Sequence, residues 1–297
     1  MGFDLNNVNK QRTWVDPHIH FFALDKGAYA WLKPNNPPFW ADKTDIARNH
    51  YEVDLTRAAG PNLSGFVHVE AGFDNTKPWR EIEFLEGHCR LPFRSVACID
   101  LSSKYAESHI NKLAGYSSVV GLRDILDDNA TTMLNNPKAQ WLLGFMAKKG
   151  LSFDAQFDLA DTAVVKALLR VLERYPSLRV IVDHSAVAPL TIESLAFQRW
   201  TKNIASLTET EQVAFKFSGL EMQDRQWCKR RAQQVLTALL ANASCDNVML
   251  ASNYPLCTWR MPYQCLWKVY HELTCPLSEH EKMWLFENTA KNWYRLT

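Results

Sequence analysis

The 297-residue sequence has no apolar run of the roughly 18 residues that a membrane-spanning helix needs, so it is not expected to cross a bilayer. It has no excess of either charge: 33 basic residues face 32 acidic ones, a net charge of +1. Without a basic stripe or a nucleic-acid-binding motif, DNA and RNA are not expected partners, which leaves a small molecule. The start, "MGFDLNNVNKQR", lacks the apolar core of an export signal and has no Ser or Thr at position six, so neither export nor myristoylation is expected. No CxxC occurs among the seven scattered cysteines. An odd number without metal or redox spacing reads as reduced thiols in the cytoplasm, with Cys98 a small core residue before it is a catalytic thiol. No repeat, low-complexity tract or domain boundary divides the chain, and the expectation is a single domain over residues 1–297.

What the sequence does have is alternation. The segments "TWVDPHIHF", "SGFVHVEA", "FRSVACIDL", "SSVVGLRDI", "LSFDAQF", "LRVIVDH", "VAFKFSGL" and "NVMLASN" read as short buried strands. Longer amphipathic segments separate most of them, such as "PKAQWLLGFMAKKG", with its terminal Gly stop, and "TAVVKALLRVLERYP". Strands joined by helical crossovers pair in parallel. Eight such units in one chain of this length fit an α/β fold closed as a (β/α)8 TIM barrel. Residues 23–62 are too long for a plain connection and are expected to form a lid-like insertion over the barrel mouth. Their "YAWLKPNNPPFW" either packs that lid onto the barrel or stacks against a ring in the pocket. Residues 186–210 are the other stretch without a clear element. Barrels of this size often self-associate, and the 11 tryptophans could serve an interface.

The polar exceptions gather at strand ends: His18 and His20, then His68 and Glu70, Arg123, Asp154, Gln156 and Asp158, Asp183 and His184, Ser218 and Glu221, and Ser252 and Asn253. In such barrels the active site lies at the C-terminal ends of the strands. Residues i and i+2 of a strand face the same way, so His18 and His20 are expected to point together, as are His68 and Glu70. Asp183 alternates with His184 and is expected to point outward, in a structural role. His68 alone reads as a satisfied hydrogen-bond partner. Arg123 either binds an anionic or carbonyl group of the substrate or ties down the fold through Asp124, Asp127 or Asp128. Two inward imidazoles suit Zn²⁺ or a similar ion.

"VDPHIHFF", "FVHVEAG", "GLRDIL", "FDAQFD", "VIVDHSAVAP", "FKFSGL", "LASNYP" and "LFENTAKNWYRL" follow one another in this order. The set resembles the amidohydrolase superfamily, in the branch that contains sugar lactonases and 2-pyrone-4,6-dicarboxylate lactonase. The resemblance implies a distorted barrel and hydrolysis of a small lactone, cyclic ester or related acidic substrate by an activated water. It implies catalytic roles for His18, His20, His184 and Asn253, and substrate binding by Arg123, His68, Glu70 and Asp154. His18, His20 and His184 would be the ligands of one divalent metal such as Zn, and metal-independent action stays equally open because the branch includes members that work without metal. The strand-eight position, a proton-accepting Asp in those hydrolases, is Asn253 here. An amide cannot be a general base, so that role passes to Glu70, Asp154, Asp158 or a histidine. The alternative is a small-molecule binding protein on a catalytically decayed scaffold.

Overall fold

The computed structural model describes residues 12–297, so the polar start of the chain lies outside the described residues. The expected strands form at β1 (Trp14–Ile19), β2 (Leu63–Val69), β3 (Phe93–Cys98), β4 (Val119–Ile125), β5 (Ser152–Gln156), β6 (Val180–Val182), β7 (Val213–Phe217) and β8 (Val248–Leu250). They form one parallel sheet in sequential order. Residues 23–62, expected as a lid-like insertion, also contain the helix α1 (Glu52–Ala59), which supplies the first helical crossover, and the unclear stretch 186–210 contains the helix Leu195–Thr208. Most other crossovers are the expected helices, among them α2 (Trp79–His88) and α3 (Ala106–Leu113). Among the described residues no helix is long and apolar enough to cross a membrane.

The interior is layered. A lower layer of Val15, Val67, Val96, Val120, Ile181, Ala214 and Met249 packs with Trp293, Tyr294 and Leu296 from the C-terminal end of the chain. These branched and small side chains fill the inside as they do in barrels of this class. A separate, larger apolar cluster fills the space between sheet and helices.

The barrel closes around Asp16. Its Oδ1 accepts the main-chain N–H of Ser252 at 3.0 Å, and its Oδ2 accepts the Tyr263 hydroxyl at 2.9 Å. Beyond it, the N–H groups of Asn253 and His20 donate to the carbonyls of His18 and Tyr254, at 2.9 and 2.7 Å. The first strand thus meets the last through a carboxylate staple and two main-chain bonds. Burial pushes the Asp16 carboxyl up to about 6, against the bonds that favour its charge. Asp16→Ala would leave the Ser252 N–H and the Tyr263 hydroxyl proton without an acceptor. It is expected to lower unfolding free energy in urea by about 3 kcal/mol. An unchanged midpoint would show that the seam does not depend on this carboxylate.

Candidate active site

Strand geometry explains which side chains enter. Ile181 belongs to the inner layer, so Asp183, two residues on, also points inward. This corrects the outward, structural reading of Asp183, which assumed that His184 continued the strand. The strand has ended at Val182, and His184 enters through a tight turn in which residues 184–187 all have positive φ. Ala214 is likewise inward and brings Lys216 with it. In β1 a register irregularity between Asp16 and Ile19 separates Asp16, at the seam, from His18, in the interior.

Lys216 sits fully buried at the centre. Its Nζ lies 2.7 Å from Asp154 Oδ2, 2.9 Å from Asp183 Oδ1 and 3.2 Å from His18 Nδ1. The Tyr294 hydroxyl donates to the same Asp154 oxygen at 2.5 Å, which joins this charged layer to the apolar plug below. Arg123 places Nε and a terminal nitrogen on Glu70 Oε1, at 3.0 and 2.7 Å, and reaches Asp183 Oδ2 at 3.4 Å. Burial pushes Asp183 toward its neutral form, but Lys216 and His18 outweigh it and hold the carboxyl well below its usual range. Asp154 goes the other way, to about 6, because burial and the Asp183 charge outweigh Lys216. Burial works against the Arg123 charge too, and Glu70 and Asp183 more than restore it.

Above this layer His18 Nε2 and His20 Nε2 lie 3.2 Å apart. The expectation that these imidazoles point together holds. His184 joins them, its ring centre 4.6 Å from that of His18. Its Nδ1 lies 3.3 Å from Ser218 Oγ, and a Cβ on Gly219 would come within 2.5 Å of that nitrogen. Burial, above all, keeps all three rings neutral: His184 falls to about 4, and His18 and His20 fall well below their ordinary value. Neutral imidazole is the form that binds metal. Two nitrogen ligands at 2.0–2.1 Å on a tetrahedral ion lie roughly 3.3 Å apart, so His18 and His20 suit one. His18, Asp183 and His184 also offer ligand atoms within 4.8 Å of one another. The donor set therefore fits a zinc-like ion.

These groups floor a cavity of about 870 Å³. His20, Glu70, Arg123, His184 and Asn253 line it, with Gln156, Asp100, Asp124 and Asp127 farther out. Trp31, Pro37, Pro38 and Trp40, from residues 23–62, complete its wall, as does the half-buried Cys98. Other expected site residues lie elsewhere. Asp154 is beneath the floor, held by Lys216 and Tyr294, and is absent from the lining. Asp158 accepts the Ala160 N–H in a separate surface depression. His68 and Glu70 do not share a face: His68 Nε2 accepts the Phe21 N–H at 3.0 Å, and only Glu70 reaches the cavity. Arg123 pairs with none of Asp124, Asp127 or Asp128. Asn253 lines the cavity with His20 and His184, and its N–H bonds the His18 carbonyl, but its Nδ2 donates to Glu221 Oε1 at 2.7 Å and its buried Oδ1 has no partner among the described residues. Glu221 stands among the polar residues expected at the strand ends, without a role; Lys216 does not, although a Lys alternating with apolar residues in "VAFKFSGL" is the mark of a charge placed inside the barrel.

Comparison with known proteins agrees with this geometry. A family model described as "Amidohydrolase" matches residues 15–296. The chain belongs to the amidohydrolase family. It is 32% identical over 202 residues to an L-fucono-1,5-lactonase of Burkholderia ambifaria, covering 67% of this chain and 68% of that one. It is also 27% identical to an uncharacterized protein, y4mH, of Sinorhizobium fredii, over 95% of this chain and 98% of the other. A crystal structure of a Burkholderia multivorans amidohydrolase with bound zinc shares the fold, with a TM-score of 0.82 at 20% identity over 96% and 100% of the chains. A 2-pyrone-4,6-dicarboxylic acid hydrolase structure from Pseudomonas putida gives 0.67 at 18% identity, over 96% and 98%.

In this amidohydrolase the central ammonium is expected to dominate stability. Lys216→Met would leave Asp154 and Asp183 facing each other without a cation. Unfolding free energy is expected to fall by about 3–5 kcal/mol in chemical denaturation. A loss below about 1 kcal/mol would mean that protonation of Asp154 alone can relieve the cluster.

Proposed function

We propose that this amidohydrolase hydrolyses a small, uncharged, hydroxyl-bearing lactone at the barrel mouth. The observation that carries the reading is the charge of the cavity wall. Glu70, Asp100, Asp124 and Asp127 face one cation, Arg123, and that guanidinium is already engaged by Glu70 and Asp183. A dicarboxylate would meet net repulsion there, whereas carboxylates accept hydrogen bonds from sugar hydroxyls, and Trp31 and Trp40 offer apolar faces to the ring. The 32% identity to an L-fucono-1,5-lactonase supports the same substrate class. Residues 23–62, through those tryptophans, would act as the lid.

In the reaction a water oxygen adds to the lactone carbonyl carbon, the ring C–O bond breaks, and the ring oxygen takes a proton to leave a hydroxy acid. Among the carboxylates read from the sequence, Glu70 is tied to Arg123, and Asp154 and Asp158 lie off the cavity. His184, neutral and in the lining, is therefore the proton acceptor. Arg123, whose two bonds to Glu70 fix its plane, turns its remaining edge to the carbonyl oxygen and stabilises the developing oxyanion. Alternatively, a divalent ion held by His18, His20 and His184 would supply a Lewis acid for the water or the carbonyl, and His184 would then be a ligand and not the base.

The test is proton release from a panel of neutral aldonolactones and of cyclic esters bearing carboxylates, with and without added Zn²⁺. Hydrolysis of a neutral lactone is expected, with Asn253→Ala reducing kcat/KM by about tenfold or more. Preference for a dicarboxylate would overturn the substrate class. The missing strand-eight carboxylate favours a second reading, binding without turnover. A lactone that raises the melting temperature yet is never hydrolysed would establish it.

A further inference from the structure

The Asn253 side chain is held in an unusual way for an active-site amide. It is buried, its backbone is left-handed with φ 61°, and its own N–H is fixed to the His18 carbonyl, so the side chain has little freedom of placement. One end of the amide gives a hydrogen bond to Glu221 Oε1 at 2.7 Å, and the other end, Oδ1, is buried without a partner in a residue that lines the cavity. Only the ionised carboxylate dictates this sense, because it can accept and cannot donate. Glu221 is itself buried, absent from the cavity lining, and has no ion-pair partner among the described residues. Its surroundings are short of charge. The Arg225 guanidinium bonds the Glu221 main-chain carbonyl and pairs with Asp42. Cys257 and Tyr270, the other titratable groups that feel its charge, are both pushed toward their neutral forms by burial.

We propose that Glu221 is a positioning residue that sets the sense of the Asn253 amide, so that Asn253 Oδ1 accepts a hydrogen bond from the attacking water. The inference rests on the hydrolase reading above and deepens it. A carboxylate–amide pair takes over the orienting half of what a single strand-eight carboxylate would do, and the proton itself goes to His184. The arrangement carries its own pH dependence. Burial, partly offset by the Asn253 bond, pushes the Glu221 carboxyl up to about 7. Below that pH the protonated acid can donate, the amide turns over to present Oδ1 to Glu221, and its NH₂ faces the cavity. A donor there points the wrong way for a water hydrogen. Activity should therefore fall as pH drops through about 7.

Two measurements on the full chain decide this. In protein labelled with ¹⁵N-asparagine, the Asn253 side-chain amide signals, assigned by their loss in Asn253→Ala, are expected to shift with a midpoint near pH 7, and to be flat in Glu221→Gln. Gln offers Asn253 an acceptor at every pH but can also donate, so it holds the amide sense only in part; Glu221→Gln should keep at least a third of the plateau kcat/KM and lose the acidic limb. Glu221→Leu, with no acceptor, should lose about tenfold or more. Amide signals that do not titrate in the wild type, or an acidic limb that persists in Glu221→Gln, would overturn the proposal. Loss of activity in Glu221→Gln as severe as in Glu221→Leu would also overturn it, because Glu221 would then be the base. Should no lactone be hydrolysed by the wild type, the hydrolase reading fails by itself and the amide titration still decides the orientation.

Discussion

A single ammonium organises the interior of this barrel. Lys216 has three protons and three partners: Asp154, Asp183 and His18. A buried lysine without such partners would be expected to lose its charge, and two buried carboxylates so placed would not both ionise. Together they form a layer that is stable only as a set. Tyr294 ties the layer to the apolar plug below, and Asp183 passes the constraint upward to Arg123. The cluster holds three carboxylates, Glu70, Asp154 and Asp183, against two cations, Arg123 and Lys216. Burial, and after it the one excess negative charge, account for the raised carboxyl of Asp154.

In the proposed reaction the same layer would decide what the mouth recognises. An arginine at the end of a barrel strand is, taken alone, an anion-binding group. Here Glu70 occupies two of its nitrogens, so it offers direction without net attraction. On the proposed reading, function and structure are not alternatives for Arg123: the ion pair that stiffens the floor would aim the guanidinium and remove its preference for charged ligands.

Much of this was legible in the sequence, for physical reasons. Parallel strands buried on both faces read as short apolar runs, and the helices between them carry a distinct period, so the barrel and its order were accessible. His18 and His20 stood out because polar residues in such runs need partners. The failures occur where the period breaks. Alternation places Asp183 outward only if His184 continues the strand, but β6 ends at Val182 and a left-handed turn swings His184 in. His68 and Glu70 were paired by alternation, but Glu70 lies one residue beyond the end of β2. Lys216 had the right parity and was passed over, because a lysine inside a barrel makes sense only once its carboxylates, 62 and 33 positions away in sequence, are seen around it. Glu221 stands out at a strand end, but nothing local says that its partner is Asn253.

The histidines at the floor can hold their protons in two ways, and the difference bears on whether the site takes a metal. His20 Nδ1 lies 2.8 Å from the Val69 carbonyl, so it carries the proton and leaves a lone pair on Nε2. His18 Nδ1 has a choice. Lys216 Nζ, a donor, lies 3.2 Å away, and Asp183 Oδ1, an acceptor, 3.3 Å away. If Nδ1 accepts from Lys216, the proton of His18 sits on Nε2 and is donated to His20, and every donor in the floor is satisfied. If Nδ1 donates to Asp183, both Nε2 lone pairs face each other across 3.2 Å, an arrangement that needs a cation between them. A carboxylate behind a metal-bound imidazole is the usual support for that second form. The two states differ by one proton on one ring, with Lys216 favouring the first and Asp183 the second. The fit of this floor to a metal ion would thus be set beneath the ligands, by the competition between an ammonium and a carboxylate for a single nitrogen.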